Sequence, residues 1–124
     1  MRRTVGLVAV GGVAGALARY GLGVAFPVAP GAFPWTTYAV NVAGCLLIGV
    51  LISIVGTHPV LRPFLGTGVL GGFTTFSTYI VDIHGLLRLA EPGLALLYLG
   101  GTVVSALLAT YAGHHLGDAI RGES

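Results

Sequence analysis

The run Gly71-Gly72-Phe73-Thr74-Thr75-Phe76-Ser77-Thr78-Tyr79 places two glycines, three threonines and a serine near the middle of a segment otherwise apolar enough to cross a bilayer. Hydrocarbon offers no water to the main chain, and each unpaired N–H or C=O costs several kcal/mol there. Such a run is tolerated only where protein or a watery cavity surrounds it. It therefore predicts that this crossing is broken, and that the freed carbonyls and hydroxyls form a candidate ion site.

The rest of the chain supplies the membrane setting. Of 124 residues 55% are apolar and 8% charged, against about 25% charged in soluble domains. The pattern is that of an all-α integral membrane protein forming one domain over 1–124. A hydrocarbon core of roughly 30 Å takes about 20 apolar residues per helix, and four segments qualify: about 4–26, 35–55, 61–83 and 94–116. Pro27-Val28-Ala29-Pro30-Gly31, Gly56-Thr57-His58-Pro59 and Ala90-Glu91-Pro92-Gly93 punctuate them. Gly11/Gly15, Gly68/Gly72 and Gly113/Gly117 have the four-residue spacing that lets membrane helices approach closely. Arg2-Arg3 followed by an apolar run and Ala16-Leu17-Ala18 resembles a secretory leader, but the run to Phe26 is long for one. The segment is read as a retained span.

Four spans place both termini on one side. That side carries Arg2, Arg3, Arg62 and Arg121, and the other carries Arg88, so the arginine bias predicts cytoplasmic termini. The net charge of +2 is too small and too scattered for a nucleic-acid surface. Cys45 is the single cysteine, which excludes an intrachain disulfide.

Several motifs are set aside. Gly66-Thr67-Gly68-Val69-Leu70-Gly71 matches G-x-G-x-x-G but lacks the strand and βαβ unit a dinucleotide site needs. His58, His84, His114 and His115 lie at segment ends, and the adjacent pair diverges on a helix, which argues against a shared metal. No serine–histidine–acid arrangement stands out, and the residues make no case for an enzyme.

The polar residues inside the spans are the candidates. Arg19 is a charge within the first span, read either as an anchor or as lining a vestibule, and it is also placed to satisfy carbonyls of the broken helix. Thr37, Asn41 and Cys45 recur every four residues and share a helical face. Tyr98, Thr102 and Ser105 form a second stripe, and Thr75, Thr78 and Tyr79 a third. Facing one another, these neutral hydrogen-bond donors would form a track suited to a small dehydrated anion. Phe76 and Tyr79 share a face beside the break, where ring edges carry partial positive charge.

Three runs together carry a resemblance. Gly11-Gly12-Val13-Ala14-Gly15-Ala16-Leu17-Ala18-Arg19-Tyr20, then Val40-Asn41-Val42-Ala43-Gly44, then Gly71 to Thr78 are similar to the Fluc (CrcB) family of small fluoride channels, and length and span number agree. The resemblance implies a fluoride-selective passive channel in the cell membrane that exports fluoride from the cytoplasm and relieves its toxicity. It implies an antiparallel dimer with two pores and a structural sodium ion at the dimer centre. Carried onto this chain, the sodium ligands are the main-chain carbonyls of Gly71 and Thr74, the pore aromatics are Phe76 and Tyr79, and the pore asparagine is Asn41. The hydroxyl track falls on Tyr98 and Thr102, with Ser77, Thr78 and Ser105 as further candidates. Tyr79 stands where the family usually has phenylalanine, and Cys45 where serine is common. The arginine bias sits awkwardly with one chain inserting both ways round, so a homodimer and a heterodimer with an oppositely oriented paralogue both stay open. Two rivals remain: a small dual-orientation transporter, which would rely on an embedded glutamate, and a non-conducting membrane subunit.

Overall fold

A computed structural model describes residues 2–56 and 58–122. Every regular element among them is helical: α1 (Arg2–Ala25), α2 (Trp35–Val55), α3 (a π-wound stretch Arg62–Leu70 continued by one α-turn, Gly71–Phe73), α4 (Phe76–Arg88) and α5 (Pro92–Ile120). α3 and α4 together form one crossing, so four segments are long and apolar enough to span a membrane. Their outward faces carry exposed large apolar residues, from Val5 and Leu17 on α1 to Leu107 on α5. Lipid is the environment in which such faces are stable.

The helices pack as two backbone-close pairs. A side chain at Gly15 of α1 would overlap the carbonyl of Val69, and one at Gly72 of α3 would overlap the carbonyl of Gly12. In the other pair, a Cβ on Gly113 of α5 would meet the main chain of Leu46, and one on Gly49 of α2 the main chain of Thr110. Lipid tails are as apolar as leucine, so association in a bilayer depends on such close fits rather than on hydrophobic expulsion.

The third crossing is interrupted at Thr74 and Thr75. Thr74 has φ −76° and ψ 155° and Thr75 φ −146° and ψ 118°, both extended. Gly71 remains helical at φ −62° and ψ −39°. Gly72 therefore serves the contact with α1, while the threonines make the break. β-branching favours extended backbone, and Thr75 is also the N-cap of α4, its Oγ1 accepting from the Thr78 N–H at 3.1 Å.

α4 closes on a Schellman turn. The Glu91 N–H donates to the Leu86 carbonyl at 2.9 Å and the Ala90 N–H to the Leu87 carbonyl at 3.1 Å. Ala90 takes the left-handed position at φ 59°, where glycine is the usual occupant. α5 then starts with Pro92 in its first turn, where the missing N–H costs nothing.

The third and fourth helical crossings extend beyond the apolar stretches read from sequence, to Arg88 and Ile120. On α5 the extension carries Asp118, one turn after His114. Asp118 accepts from the Ser53 hydroxyl of α2 and lies 3.2 Å from His114 Nδ1, while the Arg121 guanidinium reaches the Ser53 carbonyl. Hydropathy falls where these charges begin, but the helix continues because they pair with one another and with α2.

Candidate ion site at the broken helix

The break is held by side chains from two other helices. Asn41 of α2 faces the main chain of Thr75 and makes two hydrogen bonds to it. Its Nδ2 donates to the Thr75 carbonyl at 3.0 Å, and its Oδ1 accepts from the Thr75 N–H at 2.8 Å. Arg19 of α1 donates from Nε to the Gly72 carbonyl at 3.2 Å. The span-embedded guanidinium thus satisfies a carbonyl of the broken helix, one of the roles its position suggested. Thr74 turns its hydroxyl back to the Leu70 carbonyl at 3.0 Å, and its methyl fills the space left by Gly44 of α2.

A cleft of about 340 Å3 opens beside the break, with Arg19, Thr37, Thr75 and Thr78 among its walls. A second hollow of about 420 Å3 shares Gly23, Thr36 and Thr37 with it and runs past Asp82 of α4. The two hollows, walled mostly by apolar groups, adjoin at these residues, with the Arg19 guanidinium on the wall of one and the Asp82 carboxylate on the wall of the other.

The aromatic and hydroxyl candidates lie on the other face of α4, against α5. Tyr79 and Tyr98 are buried, their ring centroids 5.0 Å apart. The Tyr79 hydroxyl donates to the Leu99 carbonyl at 2.6 Å, and the Tyr98 hydroxyl to Asp82 Oδ2 at 3.1 Å. Ser105 pairs with the Tyr38 hydroxyl at 2.6 Å. Thr102 lies one turn along α5 from Tyr98. It is 6% exposed, and its Oγ1 is the one buried side-chain polar atom among the described residues without a partner. On the same helix Thr110 bonds the carbonyl four residues back at 2.9 Å, so the orphaned Thr102 hydroxyl is not a general property of threonine in α5. Phe76 projects outward, 74% exposed, with its ring centroid 6.0 Å from that of Tyr79. Ser77 beside it is also exposed.

The structure thus joins Asn41 to Thr75, Arg19 to Gly72, Tyr79 to Tyr98, and Ser105 to Tyr38. It leaves Phe76 and Ser77 on an outer face of the single chain. Two polar participants lie outside the stripes read from sequence. Tyr38 lies one residue off the α2 stripe. Asp82 reads as an acid at a span end, yet it accepts the hydroxyl of a fully buried tyrosine. The spacing of Asp82 and Arg88 would have placed both on one end of the crossing, and only the packing of α4 on α5 shows that Asp82 reaches inward.

Residues 6–114 match the family described as CrcB-like protein, Camphor Resistance (CrcB). The chain belongs to the CrcB family. CrcB relatives include a protein of Thermus thermophilus named fluoride-specific ion channel FluC, 46% identical over 94% of this chain and 94% of its own length. A Paracoccus denitrificans protein of the same name is 45% identical over 97% of this chain and 98% of its own. A Streptomyces avermitilis protein named fluoride-specific ion channel FluC 2 is 50% identical over 80% of this chain, which spans 65% of that longer relative. CrcB membership and four apolar crossings together make this a multi-pass membrane protein.

Proposed function

We propose that the chain forms a fluoride-selective passive channel that carries fluoride out of the cytoplasm across the plasma membrane. The observation that carries this reading is the orphaned Thr102 hydroxyl in the core. A buried hydroxyl without a partner forfeits about 1–3 kcal/mol, and it persists where a passing ligand takes its hydrogen bond. Thr102 comes one turn after Tyr98 on α5, Tyr98 stacks near Tyr79, and the three side chains are neutral. Neutral donors and ring edges strip and replace the water of a small anion without holding it too tightly to release. The names of the CrcB relatives supply the identity of that anion.

Position supports the following roles. Asn41 has a second Nδ2 hydrogen beyond the one given to Thr75, and with Thr78 it offers donors near the break. Phe76 and Tyr79 present ring edges, and Thr102 and Ser105 continue the track along α5, with Tyr98, whose proton is given to Asp82, as a wall and Ser77 at its margin. Phe76 and Ser77 face away from the single chain, which suits a conduit completed by a second copy. That copy is an inverted twin or an oppositely oriented paralogue. The numbered names FluC 1 and FluC 2 among relatives favour keeping the paralogue in view.

A structural sodium ion at the dimer centre fits the donors present. α3 ends at Phe73, so the negative end of its helix dipole meets the break, and unwound carbonyls at such half-helix ends suit sodium. Gly71 and Thr74 would supply two such oxygens per chain. A bound sodium would add positive potential near the anion path and brace the two broken crossings.

A fluoride electrode outside vesicles loaded with potassium fluoride tests the reading. Efflux is expected only after valinomycin lets potassium follow, and chloride-loaded vesicles should release little. Release without valinomycin would indicate coupled transport instead, and no release under either condition would indicate a non-conducting subunit.

A further inference from the structure

The hydrogen bonds around the break sort its carbonyls into two groups. In a continuous helix each carbonyl accepts from the N–H four residues on. The Leu70 carbonyl keeps the Thr74 N–H at 3.0 Å. The Gly72 carbonyl takes Arg19 Nε, and the Thr75 carbonyl takes Asn41 Nδ2. The helical donors for Gly71 and Thr74 would be the amides of Thr75 and Thr78. Both are diverted to side chains: the Thr75 N–H to Asn41 Oδ1 at 2.8 Å, and the Thr78 N–H to Thr75 Oγ1 at 3.1 Å.

We propose that Asn41 and the Thr75 hydroxyl are positioning residues for the central cation: each draws off one amide so that the carbonyls of Gly71 and Thr74 stay free to ligate it. This inference rests on the sodium reading above. It gives Asn41 a task separate from contact with the anion, and it gives the N-cap of α4 a purpose beyond ending a helix. Gly71 and Thr74 have each lost a helical donor to a side-chain acceptor. The arrangement also explains why an asparagine suits position 41, where one side chain must both accept and donate to hold the Thr75 peptide in place.

Thermal unfolding of the purified protein, titrated with sodium chloride against N-methylglucamine chloride at constant ionic strength, tests it. Ligation of the folded state raises Tm with sodium. Asn41→Ala and Thr75→Val are each expected to raise the sodium concentration needed for half the shift by roughly tenfold, the scale of one hydrogen bond regained by a competing amide. Thr75→Ser keeps the acceptor and should restore the wild-type midpoint. The Thr75 pair stands alone if Asn41→Ala fails to fold. Variants that lower Tm while keeping the wild-type sodium midpoint would overturn the positioning role and leave the channel's sodium intact. A wild-type protein indifferent to sodium would overturn the sodium reading and this inference with it, while valinomycin-dependent fluoride efflux could still stand.

Discussion

At the level of a single residue, substitution of Thr102 tests folding and the proposed transport separately. Thr102→Val keeps shape and removes an unpartnered hydroxyl, so stability is expected to be unchanged or to rise by up to about 1 kcal/mol, while fluoride efflux falls. Chemical denaturation and electrode measurements on the same preparation check both halves. A loss of stability would show that the hydroxyl has a structural partner, and unchanged efflux would remove Thr102 from the track. Phe76→Ile should cut efflux by roughly tenfold or more with assembly preserved on a sizing column, because an aliphatic side chain has no polarised ring edge. Asn41→Asp should abolish anion flux, since a carboxylate would repel the anion and lose the donor to the Thr75 carbonyl.

At this scale the sequence was informative wherever polarity stood out against an apolar background. Arg19, Asn41 and the threonine run could be read on those grounds, and Arg19 and Asn41 do brace the broken crossing. Asp82 could not, because a charge near the end of an apolar stretch reads as interfacial whether it turns outward or inward. Tyr38 was hidden for the same reason. Helical spacing assigns it a face, but only the α2–α5 packing shows that Ser105 lies on that face.

Among the elements, the break and the close pairs decide the architecture. The break was legible, but the part played by its glycines was not. Gly71-Gly72 reads as the flexible point, whereas the backbone stays helical there and unwinds at two β-branched residues. The glycine spacing was consistent with close packing but did not identify the partner of each helix. Gly72→Leu should collide with the Gly12 carbonyl and cost about 3 kcal/mol or more, the upper range of core overpacking, read as loss of folded protein after extraction. Ala90→Gly relieves a left-handed alanine at the end of α4 and should stabilise by about 1 kcal/mol, read as a Tm increase with efflux unchanged.

For the whole molecule, the question is which way round the chain inserts and what completes it. Phe76 lies bare beside the break, and the distribution of Arg2, Arg3, Arg62 and Arg121 predicts cytoplasmic termini. If one chain forms the inverted pair, a protease-sensitive tag on either terminus should be cleaved from both faces of the membrane in intact cells and inverted vesicles. Cleavage from one face alone would point to an opposite-facing paralogue, and expression of this chain by itself should then fail to protect a fluoride-sensitive cell.

The fit of Gly113 against Leu46 and of Gly49 against Thr110 has a physiological side. Two rods seated main chain to main chain move as one body and do not slide past each other. In the proposed fluoride channel such a pair would be a wall of fixed width, with no gate of its own. A cell would then set its rate of detoxification by how many copies it makes, and selectivity would be its only safeguard against leaking everything else.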